Sequence, residues 1–296
     1  MPAQMTSGLP PEVELIAVVA GTVGAEPYVL ASEHTPPALP AGPLLTDHRS
    51  LQQALRTWVE DQTGLQLGFV EQLYTFADLD RTDRTSQRSL SISYLALTRL
   101  PQAAPGWLAW YDLFPWEDRR DRPGLSPDLA GRLLDWAARD ATGDRLLRVQ
   151  ILFGWDERPW LPELALQRYE TVYEAGLVAE SGGGLPGSGP AMMRDHRRIV
   201  ATGISRLRSK IQYRPVIFEA MPGLFTLGQL QQAVEAIAGQ TVHKQNFRRL
   251  VTGQQLVEPT GRMSNDTGGR PAELFRFRTA VRDERAVIGT KLPRPR

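Results

Sequence analysis

The pattern of apolar and polar positions divides the chain into successive elements. Alternation and short apolar runs predict strands at Glu14 to Val23 and Pro27 to Ala31, around a Gly21/Gly24 turn region, and at Gly68 to Phe76 and Ser89 to Thr98. After a Pro-rich loop, Pro36 to Pro43, Ser50 opens a helical pattern. Leu51, Leu55, Trp58 and Val59 recur there at spacings of three and four, and Gly64 is a natural stop. Ala109 to Phe114 reads as another strand, Pro127 to Asp140 as a helix capped by Ser126, and Leu146 to Phe153 as a buried strand. A further helix is expected over Pro162 to Ala179. The segment Ser181 to Pro190, SGGGLPGSGP, is too rich in Gly and Pro for a core element and reads as a flexible domain boundary.

Beyond that boundary, Arg194 to Ile211 is a basic amphipathic helix with Ile199, Ile204, Leu207 and Ile211 as its apolar stripe. Thr226 and Gln229 form a capping-box pattern that opens a helix bearing Leu227, Leu230, Val234 and Ile237 on one face, with Gly239 as its stop. A second helix, His243 to Thr252, places Phe247, Leu250 and Val251 on one side and Gln245, Arg248, Arg249 and Thr252 on the other. Two short strands follow, Leu256 to Thr260 and Ala272 to Phe277, joined by a loop containing Gly268, Gly269, Arg270 and Pro271. Helix, turn, basic helix and hairpin is the order of a winged helix-turn-helix. In a major groove, Arg donates bidentately to guanine and Gln reads adenine. Lys244, Gln245, Asn246, Arg248 and Arg249 are therefore the candidate base-side residues, with Arg270 at the wing and Arg198 and Arg206 on the preceding helix as phosphate contacts. Winged helices also mediate protein contacts, so the order alone leaves that alternative open.

Composition narrows the function classes. The 296 residues are 42% hydrophobic and 23% charged, which is ordinary for globular protein, and the length suggests two domains. No apolar run approaches the roughly 18 residues of a membrane span; the longest, Leu15 to Ala20, is strand-sized. Met1 to Pro11 carries no secretory pattern, so the expected location is the cytoplasm. Absence of cysteine excludes disulfides, thiolate catalysis and Cys-ligated metal centres, and the four histidines are scattered. No metal site and no required cofactor are expected. The net charge of +1 conceals an asymmetry: residues 1–193 hold 15 Lys+Arg against 25 Asp+Glu, and residues 194–296 hold 19 against 8. A basic module on an acidic body points to nucleic acid, or else to mutual attraction of the two halves.

Leu39 to Leu65, LPAGPLLTDHRSLQQALRTWVEDQTGL, resembles a degenerate Nudix box, G-x5-E-x7-R-E-U-x-E-E-x-G-U with U apolar. Anchored on Gly42 and Arg56, it retains Glu60 and Asp61 but has His48 and Thr57 at two acidic positions. Anchored on Gly64, it reads Thr57, Trp58, Asp61 and Gln62 for Arg, Glu, Glu and Glu. Neither register keeps the acids that hold Mg²⁺ on a pyrophosphate. The two halves together resemble NrtR-type transcriptional regulators, in which a Nudix-derived sensor precedes a winged helix. Ile204 to Gly261, with its NFRR tetrapeptide at Asn246 to Arg249, the GGRPAELFRF stretch Gly268 to Phe277, and EQLYTFADLDR at Glu71 to Arg81 carry that similarity. Within the group, the chain looks closest to NadQ-like regulators of NAD biosynthesis.

The resemblance implies an α+β protein: a Nudix-like α/β/α sandwich over 1–185, then a winged helix-turn-helix over 191–296, bridged by helix 194–211. It implies a homodimeric repressor of NAD-metabolism genes on a palindromic double-stranded operator, not an enzyme, whose DNA affinity responds to a nucleotide effector such as NAD, ADP-ribose or ATP. The alternative is an active Nudix pyrophosphatase with an accessory nucleic-acid-binding domain. A nucleotide needs cations for phosphate and an apolar or aromatic surface for its base. Arg56, as the family's helix Arg, is the first phosphate candidate, although its role could instead be to orient Glu60; Arg81, Arg84 and Arg88 in the polar arm are further candidates. Tyr74 and Phe76 alternate along one strand and could stack a base or simply fill the core. Trp107, Trp110 and Trp116 are expected in the core or a dimer interface, and His48 and His243 are expected to be incidental.

Overall fold

A computed structural model describes residues 12–77, 89–100, 102–121, 124–212, 216–264 and 271–278. The chain begins with β1 (Glu12–Val23), β2 (Glu26–Leu30) and β3 (Ala41–Pro43), followed by α1 (Leu51–Thr63). β4 (Phe69–Phe76), β5 (Ser89–Leu97) and β6 (Trp107–Ala109) complete a six-stranded mixed sheet of order β4-β5-β1-β2-β6, with β3 paired to β1. β1 and β5 run parallel from Glu12↔Ser89 to Ala20↔Leu97, and the other pairings are antiparallel. The two faces of β1 are separated by the pleat. Leu15, Ala17 and Val19 pack with Ala54, Leu55 and Val59 of α1, whereas Ile16, Val18 and Ala20 join a larger core on the opposite face. A continuous apolar run is what a strand buried on both faces requires.

That larger core is built by α2 (Trp110–Leu113), α3 (Pro127–Ala138), α4 (Asp144–Phe153), α5 (Ala165–Glu174) and α6 (His196–Ile211). On α6, Ile199, Ile204 and Leu207 are fully buried, and a Cβ at Gly203 would come within 2.9 Å of Val18 Cγ1. The missing side chain lets the helix lie close against the sheet. The same core continues into the C-terminal module through Phe225, Leu230, Ile237 and Phe247. This module comprises β7 (Phe225–Thr226), α7 (Leu227–Ala238), α8 (Lys244–Gly253), β8 (Val257–Ser264) and β9 (Ala272–Phe277), with a three-stranded sheet of order β7-β9-β8. Among the described residues, no helix is long and apolar enough to cross a membrane.

Three expectations from the sequence are corrected. Ala109 to Phe114 is strand only at its first residue, because Trp110, Leu113 and Phe114 bury themselves at helical spacing. Leu146 to Phe153 belongs to a helix: Val149, Leu152 and Phe153 face inward, while Leu146, Leu147 and Ile151 are exposed, so a run apolar on both sides imitated a buried strand. The Gly-rich segment is fastened rather than flexible. Ser188 is buried, and the Arg197 guanidinium donates to the carbonyls of both Ser188 and Leu113.

Candidate ligand pocket and DNA-binding module

The sequence signals that open and close α1 operate as read. Ser50 Oγ accepts from Gln53 N–H at 3.2 Å, and Gly64 ends the helix in the left-handed region at φ 70°. The face that α1 turns to β3 carries donors in place of carboxylates. Trp58 Nε1 donates to the Pro43 carbonyl at 3.0 Å, and one turn later Gln62 Nε2 donates to the Ala41 carbonyl at 2.7 Å. A Cβ on Gly42 would overlap the Trp58 indole, so the glycine and the tryptophan fit as a pair. Glu60 accepts from Gln66 Nε2 at 3.0 Å, and His48 Nδ1 accepts from the Leu45 N–H at 3.1 Å, closing a turn.

Arg56 is already engaged. Its guanidinium donates to the carbonyls of Leu67 and Gly68, clamping the chain that leaves α1, and it does not orient Glu60. Tyr74 and Phe76 make a T-shaped contact at 5.0 Å, but their environments differ. Tyr74 is 57% exposed, whereas Phe76 is buried in the core on the face opposite α1. Both follow the bulge between Gln72 and Tyr74 and pair regularly with Ser93 and Ser91 of β5, so they share a face as the alternation indicated, one open and the other covered. Arg56 and Glu60 therefore do not gather with Tyr74 and Phe76 around one ligand. Arg81, Arg84 and Arg88 lie outside the described residues.

A pocket of about 420 Å³ opens beside the C-terminal half of α1. Glu14 of β1, His34 and Leu39 of the loop after β2, Gln62 of α1, and Met193 and Arg194 of the arm before α6 contribute to its lining. Two backbone ties hold this arm to the loop: Met193 N–H donates to the Pro37 carbonyl at 2.9 Å, and the Leu39 N–H donates to His196 Nδ1 at 2.9 Å. Sequence reasoning missed this pocket, since its residues are separated by up to 180 positions and carry no local motif.

A second constellation connects the body to the C-terminal module. Glu117, fully buried, accepts from Arg168 Nε at 2.6 Å and Nη2 at 2.8 Å, and also from Arg208. Burial alone would push its carboxyl up, but the two guanidinium groups hold it below the ordinary carboxylate range. Arg208 Nε continues to the Ile237 carbonyl at 2.8 Å, and Arg119 N–H donates to the Gly239 carbonyl at 2.7 Å. Tyr111 Oη donates to the Ala236 carbonyl, and burial pushes its phenol up to about 12. Carbonyls at the end of α7, which that helix leaves unpaired, are thus filled from the body.

In the C-terminal module, Thr226 and Gln229 form the full capping box. On α8, Phe247 and Val251 are buried, while Lys244, Gln245, Asn246, Arg248 and Arg249 are exposed. Leu250, expected on the buried side, is 55% exposed, because 100° per residue carries it off the Phe247–Val251 stripe. The wing sheet is anchored by Phe277, whose ring lies 4.3 Å from Phe225. Arg270 lies outside the described residues. Arg198 and Arg206, expected on phosphates, are paired here with acids of the body: Arg198 with Glu170 at 2.7 Å and Arg206 with Glu71 at 3.7 Å.

Residues 217–277 match the family described as the NrtR DNA-binding winged helix domain. The ADPR-responsive transcriptional repressor NtrR of Acinetobacter baylyi is 39% identical over 83 residues, a stretch covering 28% of this chain and 33% of that protein. The match thus spans about a third of the relative. Shewanella oneidensis NrtR, solved with a 27mer DNA, superposes with a TM-score of 0.55 at 20% identity, covering 92% of this chain and 95% of that one. A MutT/nudix family protein from Enterococcus faecalis superposes with a TM-score of 0.55 at 16% identity, covering 90% and 88%. The overall fold is therefore Nudix-like, followed by an NrtR-type winged helix.

Proposed function

We propose that this chain, an NrtR-type combination of Nudix domain and winged helix, is a ligand-responsive transcriptional repressor that senses a nucleotide and does not hydrolyse it. One observation carries the DNA half of the reading. α8 buries Phe247 and Val251 and exposes Lys244, Gln245, Asn246, Arg248 and Arg249, the arrangement a recognition helix needs to seat on its own domain and reach base edges. The absence of hydrolysis rests on α1, where, in the register anchored on Gly64, Trp58 and Gln62 donate to carbonyls at positions a metal-binding helix would fill with carboxylates. ADP-ribose is the first effector to test, given the description of the Acinetobacter baylyi relative, with NAD and ATP beside it.

The sensing part ends near 185 and the DNA-binding part begins near 191. The protein acts in the cytoplasm as a homodimer on a palindromic operator of NAD-metabolism genes, two-fold symmetry doubling the few base pairs one helix reads. The test is a duplex titration with DNA from the protein's own upstream region, with and without ADP-ribose, combined with light scattering. A specific complex with dimer mass, shifted by the nucleotide without turnover, is expected. Mg²⁺-dependent hydrolysis abolished by Glu60→Gln would establish the pyrophosphatase instead.

A further inference from the structure

Resting on the nucleotide-sensing reading, we infer that the effector occupies the pocket between β1, the loop after β2, α1 and the arm entering α6, and that Arg194 receives its anionic group. The volume, about 420 Å³, lies in the range of small-ligand sites, roughly 300–1,000 Å³. The lining supplies each kind of contact that a phosphorylated nucleoside needs. Arg194 and His34 offer cationic or N–H donors, Glu14 offers a carboxylate that accepts from ribose hydroxyls, and Leu39 and Met193 offer apolar wall.

Arg194 is suited to this role where Arg56 is not. Its side chain is 47% exposed, and its guanidinium stands 3.9 Å from Glu14 Oε2, a long contact that an incoming phosphate can replace. Arg56 is committed to the carbonyls of Leu67 and Gly68. Arg194 also has φ 50°, a conformation that non-glycine residues keep where the surroundings hold them, as at ligand clamps. The ties from Met193 to Pro37 and from Leu39 to His196 preform the wall, so less ordering is needed on binding.

The location has a consequence for signalling. Arg194 lies just before α6, a 16-residue helix about 24 Å long at 1.5 Å per residue, and Arg208 near its far end donates to Glu117 and to the Ile237 carbonyl of α7. A ligand held by Arg194 thus pulls on the same helix that fills the end of α7, the first helix of the helix-turn-helix.

The experiment is calorimetric titration of ADP-ribose, NAD and ATP into the full chain and its variants. Arg194→Gln should weaken the tightest of the three at least tenfold and Glu14→Gln several-fold. Arg56→Gln should leave the affinity unchanged, and Arg194→Lys should recover part of the loss. Thermal melting should show Arg194→Gln as stable as the parent. Undiminished affinity in Arg194→Gln, or an equal loss in Arg56→Gln, overturns the pocket assignment while leaving nucleotide sensing intact. Failure of the parent chain to bind any of the three removes both.

Discussion

Glu117 and Arg208 meet with both side chains at 0% exposure, and through this contact the loop after α2 holds the end of α6 against the C-terminus of α7. Arg168 shares the same carboxylate, so one buried anion is set against two buried cations. Such a cluster is sensitive to removal of its single acid, because the remaining guanidinium groups lose the charge that offsets their desolvation. Glu117→Gln should lower unfolding free energy by about 3–5 kcal/mol in denaturant titration. A loss below about 1 kcal/mol would show that Glu117 does not hold the cluster together.

The same carboxylate sets a pH dependence. Its folded value lies below the ordinary 4.5, so the native state favours the ionised form. The stability it contributes is fully present above 4.5 and is lost as pH falls through the lower folded value. Unfolding free energy measured from about pH 6 to about pH 3 should therefore fall toward acid, and Glu117→Gln should flatten part of that slope.

Arg56 clamps the exit of α1 through two carbonyls. Arg56→Ala should cost on the order of 1.5–3 kcal/mol, the range for hydrogen bonds to a charged group, read as a lower melting temperature. Unchanged melting would return Arg56 to the pool of ligand contacts.

Arg248 and Arg249 stand exposed on α8. Replacing either by Ala should cost about 1–3 kcal/mol on operator and less on random DNA, measured as isotherms at several salt concentrations. Equal losses on both DNAs would mean that α8 only positions the protein and that the wing specifies sequence.

Arg198 and Arg206 give the opposite expectation. Both are paired with acids of the body, Arg198 with Glu170 and Arg206 with Glu71, and the prediction is that these pairs persist on DNA. Arg198→Ala and Arg206→Ala should leave the salt slope of DNA binding unchanged, with stability altered by no more than about 1 kcal/mol. A slope reduced by about one unit for either residue would place it on the DNA backbone.

The sequence by itself determined elements whose signals are local. Ser50 and Gly64 bracket α1, Thr226 and Gln229 open α7, and the 3.6-residue period of Ile199, Ile204 and Leu207 sets the buried stripe of α6, because caps and periodicity act within a few residues. It also carried the resemblance that named both domains. What it did not contain was the partner of each long polar side chain. Arg56, Arg198 and Arg206 looked like free cations, yet each met a carbonyl or a carboxylate supplied by another element. Helix α4 read as a strand because an apolar run does not say which of its sides will be covered. The pocket, drawn from Glu14, His34, Gln62 and Arg194, exists only once the sheet order has brought β1, α1 and the arm of α6 together. Local geometry follows from neighbours in sequence, whereas the pairing of charges and the closing of a cavity follow from neighbours in space.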